Sequence, residues 1–152
     1  MYSSTIELPK SGATRSLLDP LYRALFGGIP FTFPTSYYVA LWCSSLDVNS
    51  TYLTTGEVSA DSYQRVLVEN TNVNFTEIIG TDIRNAVDIV FPPAGEDWGI
   101  VTHMAIMSAL IEGNMLYYSE LATPKEIISG DQFKFPISSL RMVLPIWNPL
   151  YG

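Results

Sequence analysis

GIVTHMAIMSALIEGNMLYYSEL, residues 99–121, decides how this chain folds. Its first part, 99–109, is a charge-free run of apolar and β-branched residues. Such a run suits a buried strand and falls well short of the roughly 20 residues a membrane-spanning helix needs. Glu112-Gly113-Asn114 then supplies turn chemistry, and MLYYSEL (115–121) resumes the apolar, aromatic-rich pattern. Two runs of this kind around a glycine-centred turn predict a β-hairpin, and the rest of the chain repeats the theme. YYVALWCS (37–44) and YQRVLVE (63–69) read as strands, followed by 73–79 and AVDIVF (86–91), the last closed by Pro92-Pro93. Shorter strands are expected at 125–128, 132–137 and 139–144, divided by Ser129-Gly130-Asp131 and Pro136. Many short strands without βαβ alternation predict an all-β fold, an antiparallel β-sandwich or jelly roll.

A single short helix interrupts this scheme near residues 17–26. Leu17, Leu18, Leu21, Tyr22, Leu25 and Phe26 recur at helical spacing, which makes one apolar face. Asp19 is the expected N-cap, with Pro20 in the first helical position, and Gly27-Gly28 permits a left-handed stop. So short a helix cannot stand alone and is expected to pack on the body. The domain plan is an N-terminal arm at 1–15, one β-sandwich domain at 16–144, and a C-terminal arm at 145–152. The arm PIWNPLYG is stiffened by Pro145 and Pro149 and too apolar to gain from staying in water. Its Ile146, Trp147, Leu150 and Tyr151 are therefore candidate inter-subunit contacts.

Composition narrows the function. The 152 residues are 47% hydrophobic and only 15% charged, with a net charge of −7. Eight Lys and Arg are too few for phosphate-driven nucleic-acid binding or a polybasic membrane anchor. The first residues, MYSSTIELPK, lack the apolar core of a signal peptide, so a soluble product used without export is expected. Cys43 and His103 are each alone in the sequence, which excludes an internal disulfide and a Cys/His metal cluster. The long loop with Asp47, Glu57 and Asp61 lacks calcium-loop spacing. No cofactor or metal is expected.

No nucleophile elbow, phosphate loop, dinucleotide fingerprint or zinc-protease motif is present. The best catalytic candidates are Glu96 and Asp97 with His103 nearby, and adjacent carboxylates in a turn are ordinarily just solvated; the chain is read as a non-enzyme. Trp98 and Gly99 are assigned to a structural turn and His103 to a strand. Exposed aromatic rings could instead form a sugar-binding face, for which Trp42, Trp98, Tyr117 and Tyr118 are the candidates.

Four segments in order then carry a resemblance. They are LLDPLYRALFGGIPFTFPTSYYVALWCSS (17–45), GEVSADSYQRVLV (56–68), FPPAGEDWGIVTHMAIM (91–107) and GNMLYYSELATPKEIISGDQFKFPISSLRMVL (113–144). Together they resemble a family of small tailed-bacteriophage proteins often labelled phage tail fibre protein, over about 17–144. The resemblance implies a virion structural protein, located in the virion after assembly in the host cytoplasm. Absence of a long repetitive shaft, and an arm at each end of a compact domain, favour a capsid cement or decoration protein on the head surface. Such a protein is expected to form a homotrimer and to clamp the major capsid protein or other virion proteins. The alternative is a tail-fibre or receptor-binding module that holds host cell-surface glycan.

Overall fold

The computed structural model describes residues 10–78 and 80–143. Its centre is a five-stranded antiparallel sheet built from β1 (Ser11–Ala13), β2 (Ser36–Trp42), β3 (Val66–Glu69), β6 (Gly99–Met107) and β7 (Met115–Ile127), in the order β1-β7-β6-β2-β3. Two small antiparallel sheets accompany it: β4 (Asp82–Arg84) with β9 (Arg141–Val143), and β5 (Ile89–Val90) with β8 (Lys134–Phe135). The helix α1 (Arg15–Gly27) follows β1. The chain is thus an all-β antiparallel sandwich with one short helix, as its strand pattern predicts.

Strand alternation places side chains on both faces of the large sheet, and both faces are covered. Val39 and Leu41 of β2, with Met104 and Ile106 of β6, enter one cluster with Phe91, Trp98 and Phe135. Ala40 and Trp42, with Ala105 and Met107, enter a second cluster with Met115, Tyr118 and Leu46. Burial on both faces explains why the 99–109 run is continuous rather than alternating.

Several sequence expectations shift. The strand predicted at 125–128 is the end of β7. Pairing jumps from Val101↔Lys125 to His103↔Glu120, so 121–124 stand opposite Thr102 as a bulge. Pro124 lies in that bulge, where its missing N–H removes no ladder bond. Over 73–78, the described part of the strand predicted at 73–79, no strand forms, and one isolated bridge, Phe75↔Asn85, stands in its place. The 86–91 strand shrinks to β5, because Asn85 is spent on turn-making. Its buried amide donates to the carbonyls of Val87 (2.8 Å) and Pro136 (2.9 Å), and its oxygen accepts from Leu140 N (2.9 Å).

The helix begins earlier than Asp19. Thr14 is its N-cap, yet the Thr14 hydroxyl donates to the Met115 carbonyl instead of capping. Thr14 N donates to Leu116 O (3.0 Å) and Arg15 N to Val48 O (2.8 Å), so neighbouring segments anchor the start of the helix. Pro20 consequently sits inside the helix. Gly28 ends it in the left-handed region (φ 66°), donating to Arg23 O. The expected packing is incomplete: Leu17, Leu18 and Leu21 are half-buried, Tyr22, Leu25 and Phe26 are exposed, and no residue of α1 is fully buried. Residues 11–13, placed in the N-terminal arm by the sequence, pair as β1 with Tyr117–Ser119 of β7. The C-terminal arm, with Ile146, Trp147, Leu150 and Tyr151, lies outside the described residues.

Candidate functional site

The segment 61–65, DSYQR, is sewn to two turns at once, and that stitching builds the groove beside it. On one side stands the turn at 95–98. Ser62 Oγ accepts from Trp98 Nε1 (2.9 Å) and Gly95 N (3.0 Å), while Glu96 accepts from Ser62 N (3.0 Å). Those bonds to backbone N–H hold the Glu96 carboxyl below its ordinary pKa. Asp97 accepts from Ser129 N (2.9 Å). Both acids therefore fasten turns, and neither pairs with His103. Trp98 is buried, its ring edge-on to Tyr63 at 5.4 Å, and Gly99 follows at φ 93°.

On the other side stands the β6–β7 hairpin. Arg65 is buried and grips Glu57 bidentately, through Nε (2.7 Å) and Nη2 (2.8 Å). Its Nη1 donates to the carbonyls of Ala109 (2.8 Å) and Glu112 (2.9 Å). Four charge-assisted bonds from one guanidinium pin the hairpin tip to the 57–65 segment. Tyr63 completes the lock: its hydroxyl donates to Glu57 (2.9 Å) and accepts from Leu41 N (3.0 Å). Burial, then the adjacent Glu57 charge, push the Tyr63 phenol far above its ordinary value, so it stays protonated.

Between these anchors opens a groove of about 380 Å³, lined by Tyr52, Gln64, Leu110, Ile111 and Glu112 over the Glu57–Arg65 floor. It continues into a second groove of about 570 Å³ past Gln64 and Leu110 toward Tyr38, Val90 and Gln132. The rim is amphipathic. Tyr52 and Leu110 are each partly exposed and Ile111 mostly so; Gln64 and Glu112 are exposed. A larger open groove, about 630 Å³, runs between α1 and the 49–51 loop. Its polar lining is surface side chains such as the exposed Arg15–Asp19 pair, held at 3.3 Å. The first groove is the better candidate because its floor is locked and its rim combines ring, amide and carboxylate.

The sequence-predicted candidates fall elsewhere. Trp42, Trp98, Tyr117 and Tyr118 are all buried in the two core clusters, so they form no sugar-binding face. Large rings on a sheet covered on both sides fill its core. His103 lies on β6 between Trp42 and Glu120 in register, its Nδ1 2.8 Å from Thr102 Oγ1. Desolvation depresses its pKa against the pull of Glu120. Cys43 is half-buried, and burial pushes its thiol up, away from nucleophilic character. Among the described residues no three His, Cys, Asp or Glu converge on a metal-sized site. The groove residues were hidden in the sequence because 45–62 reads as an undifferentiated polar loop. The signal was within GEVSADSYQRVLV, where acid, tyrosine and arginine follow one another.

A family model described as Podophage GP4 fiber I protein gp80 matches residues 12–143. The chain belongs to this family. It is a bacteriophage virion structural protein of the fibre type. No curated protein matches the chain. The match runs from the second residue of β1 to the end of β9, and therefore covers the locked 57–65 segment, the hairpin and the groove.

Proposed function

We propose that this protein is a tail-fibre module that binds host cell-surface glycan in the groove between Tyr52, Gln64 and the 110–112 tip, without catalysis. Family membership over residues 12–143 carries the reading, and it supports the tail over the head-surface cement role that the compact chain first suggested. The groove supports the ligand class. A tyrosine face at the rim stacks on the C–H face of a sugar ring, while Gln64 and Glu112 exchange hydrogen bonds with hydroxyls. The bidentate hold of Arg65 on Glu57 supports the reading without catalysis, since that carboxylate is already paired. An open, shallow groove suits weak single-site binding multiplied by many copies on one virion.

Two measurements test this. Stained gels of purified virions give the copy number: a dozen or a few dozen copies support the tail, and hundreds support a head-surface cement protein instead. Purified protein is then titrated against a bacterial surface-polysaccharide array. The Tyr52→Ala and Gln64→Ala variants are expected to lose at least tenfold in affinity while keeping wild-type melting. Full retention of binding in both variants excludes the groove as the site.

A further inference from the structure

The C-terminal half of α1 and the loop after it present the largest continuous run of uncovered apolar side chains in the described structure. Tyr22, Leu25 and Phe26 are 58%, 71% and 80% exposed, and Ile29 and Phe33 of the following loop are 53% and 64% exposed. Tyr22, Leu25 and Phe26 occur at i, i+3 and i+4, the spacing of one helix face, and Ile29 and Phe33 follow in the loop beyond the Gly28 stop. The rings are already ordered: Tyr22 stacks on Phe26 at 6.2 Å, and Phe31 meets Phe33 edge-on at 4.8 Å. Together the five side chains expose on the order of 500 Å², toward the upper limit of the largest apolar patch a monomer normally carries. That is well over half of the roughly 800 Å² each partner contributes to a standard interface.

We propose that this face is the contact between copies of this chain, α1 against α1 about a closed rotation axis. Two observations select a second copy over a different partner. The stretch from 24 to 46 contains no Asp, Glu, Lys or Arg, so the C-terminal end of the face offers no charge for a foreign partner to read, and the exposed Arg15 and Asp19 on the same helical stripe pair with each other. Charge-poor, apolar contacts characterise permanent homo-oligomers, whereas transient heteromeric contacts are about as polar as ordinary surface. In addition, residues 37–152 carry thirteen acids and five bases, a net −8, while residues 1–36 carry two acids and three bases, a net +1. Copies that meet through their acidic bodies repel one another; copies that meet through the near-neutral helix keep those bodies apart. The proposal is independent of what the groove binds.

Light scattering on the full chain at micromolar concentration reads the outcome. The wild type is expected at two or more times 16.9 kDa. Leu25→Asp with Phe26→Asp is expected to give a monomer with unchanged circular dichroism, since neither side chain is buried. Ile128→Asp, 49% exposed in the turn that follows β7, is expected to stay assembled. A monomeric wild type, or a double variant that stays assembled, overturns the proposal. So does a wild type that is monomeric alone and held only by another virion protein. Should the double variant fail to fold, Phe26→Cys decides: an intermolecular disulfide through residue 26 under oxidation supports the contact, and its absence overturns it.

Discussion

Strands β2, β6 and β7 and helix α1 all carry apolar runs, and they differ in what lies over them. Val39 to Trp42 and Met104 to Met107 are within a few per cent of complete burial, while α1 has no buried residue. Where the sheet is covered on both faces, consecutive side chains are buried together. A helix fastened by hydrogen bonds at its start, through Thr14 and Arg15, leaves the side chains of its last turn to whatever the surroundings offer. Apolar sequence therefore has two uses in one small protein: it closes the core, and it supplies a face for assembly.

The comparison breaks first at Trp42, which is fully buried and donates Nε1 to Thr54 O at 3.0 Å. Trp42→Ala is expected to lower unfolding free energy by about 3–5 kcal/mol in a denaturant titration. A loss below about 1 kcal/mol would mean that the core is looser than its burial implies. Next comes Arg65→Leu, which strands Glu57 and two hairpin carbonyls. Because Glu57 keeps some access to water, the loss is expected near the lower end of the buried-pair range, about 3 kcal/mol. Hydrogen exchange in 108–114 is expected to accelerate with it, which separates loss of the pin from a general loss of core packing.

Acid sharpens the contrast further. Asp82, buried between Arg141 and Arg84, has its carboxyl held below the ordinary range, first by the hydrogen bond from Arg141. Glu96 is lowered by the Ser62 N–H, and His103 is lowered by desolvation. Each group binds its proton more weakly folded than unfolded, so the unfolded chain takes up more protons as pH falls and stability declines. His103 contributes its loss as pH falls below about 6.5, and the carboxyls contribute theirs below about 4. Thermal melting across pH 7 to 3 checks this. Asp82→Asn is expected to be less stable at neutral pH and to show a flatter decline below pH 4; an unchanged slope refutes the role given to Asp82. The smallest effect is expected at the helix. Phe26→Ala, measured at a dilution where copies are separate, is expected to shift stability by no more than about 0.5 kcal/mol.

Much of the fold was legible because its signals are local. The charge-free 99–109 run, the Glu112-Gly113-Asn114 turn and the Gly28 stop each rest on a few neighbouring residues. The misread pieces depend on distant partners. The strands read separately at 115–121 and 125–128 are one strand, and pairing across β6 makes the stretch between them a bulge. Asp19 looked like a cap, and contacts from Val48 and Leu116 moved the helix start to Arg15. The groove was the least legible feature, since Tyr52, Gln64 and Glu112 share no sequence period and meet only through the Arg65 pin.

Local sequence was enough for the fold class, for the single early helix and for the expectation, from few Lys and Arg, that nucleic acid is not a partner. Strand runs, turn residues and the scarcity of Lys and Arg are additive properties of short segments, and no contact between distant residues is needed to read them. The tertiary structure alone decided which aromatics are inside and which are out. Trp42 and Tyr118 belong to the core, while Tyr22, Phe26 and Tyr52 face solvent wholly or in part, although all five are aromatic rings. Burial is set by which element lies across which face, and that is a property of long-range pairing such as Trp42↔His103↔Glu120, which no local pattern encodes.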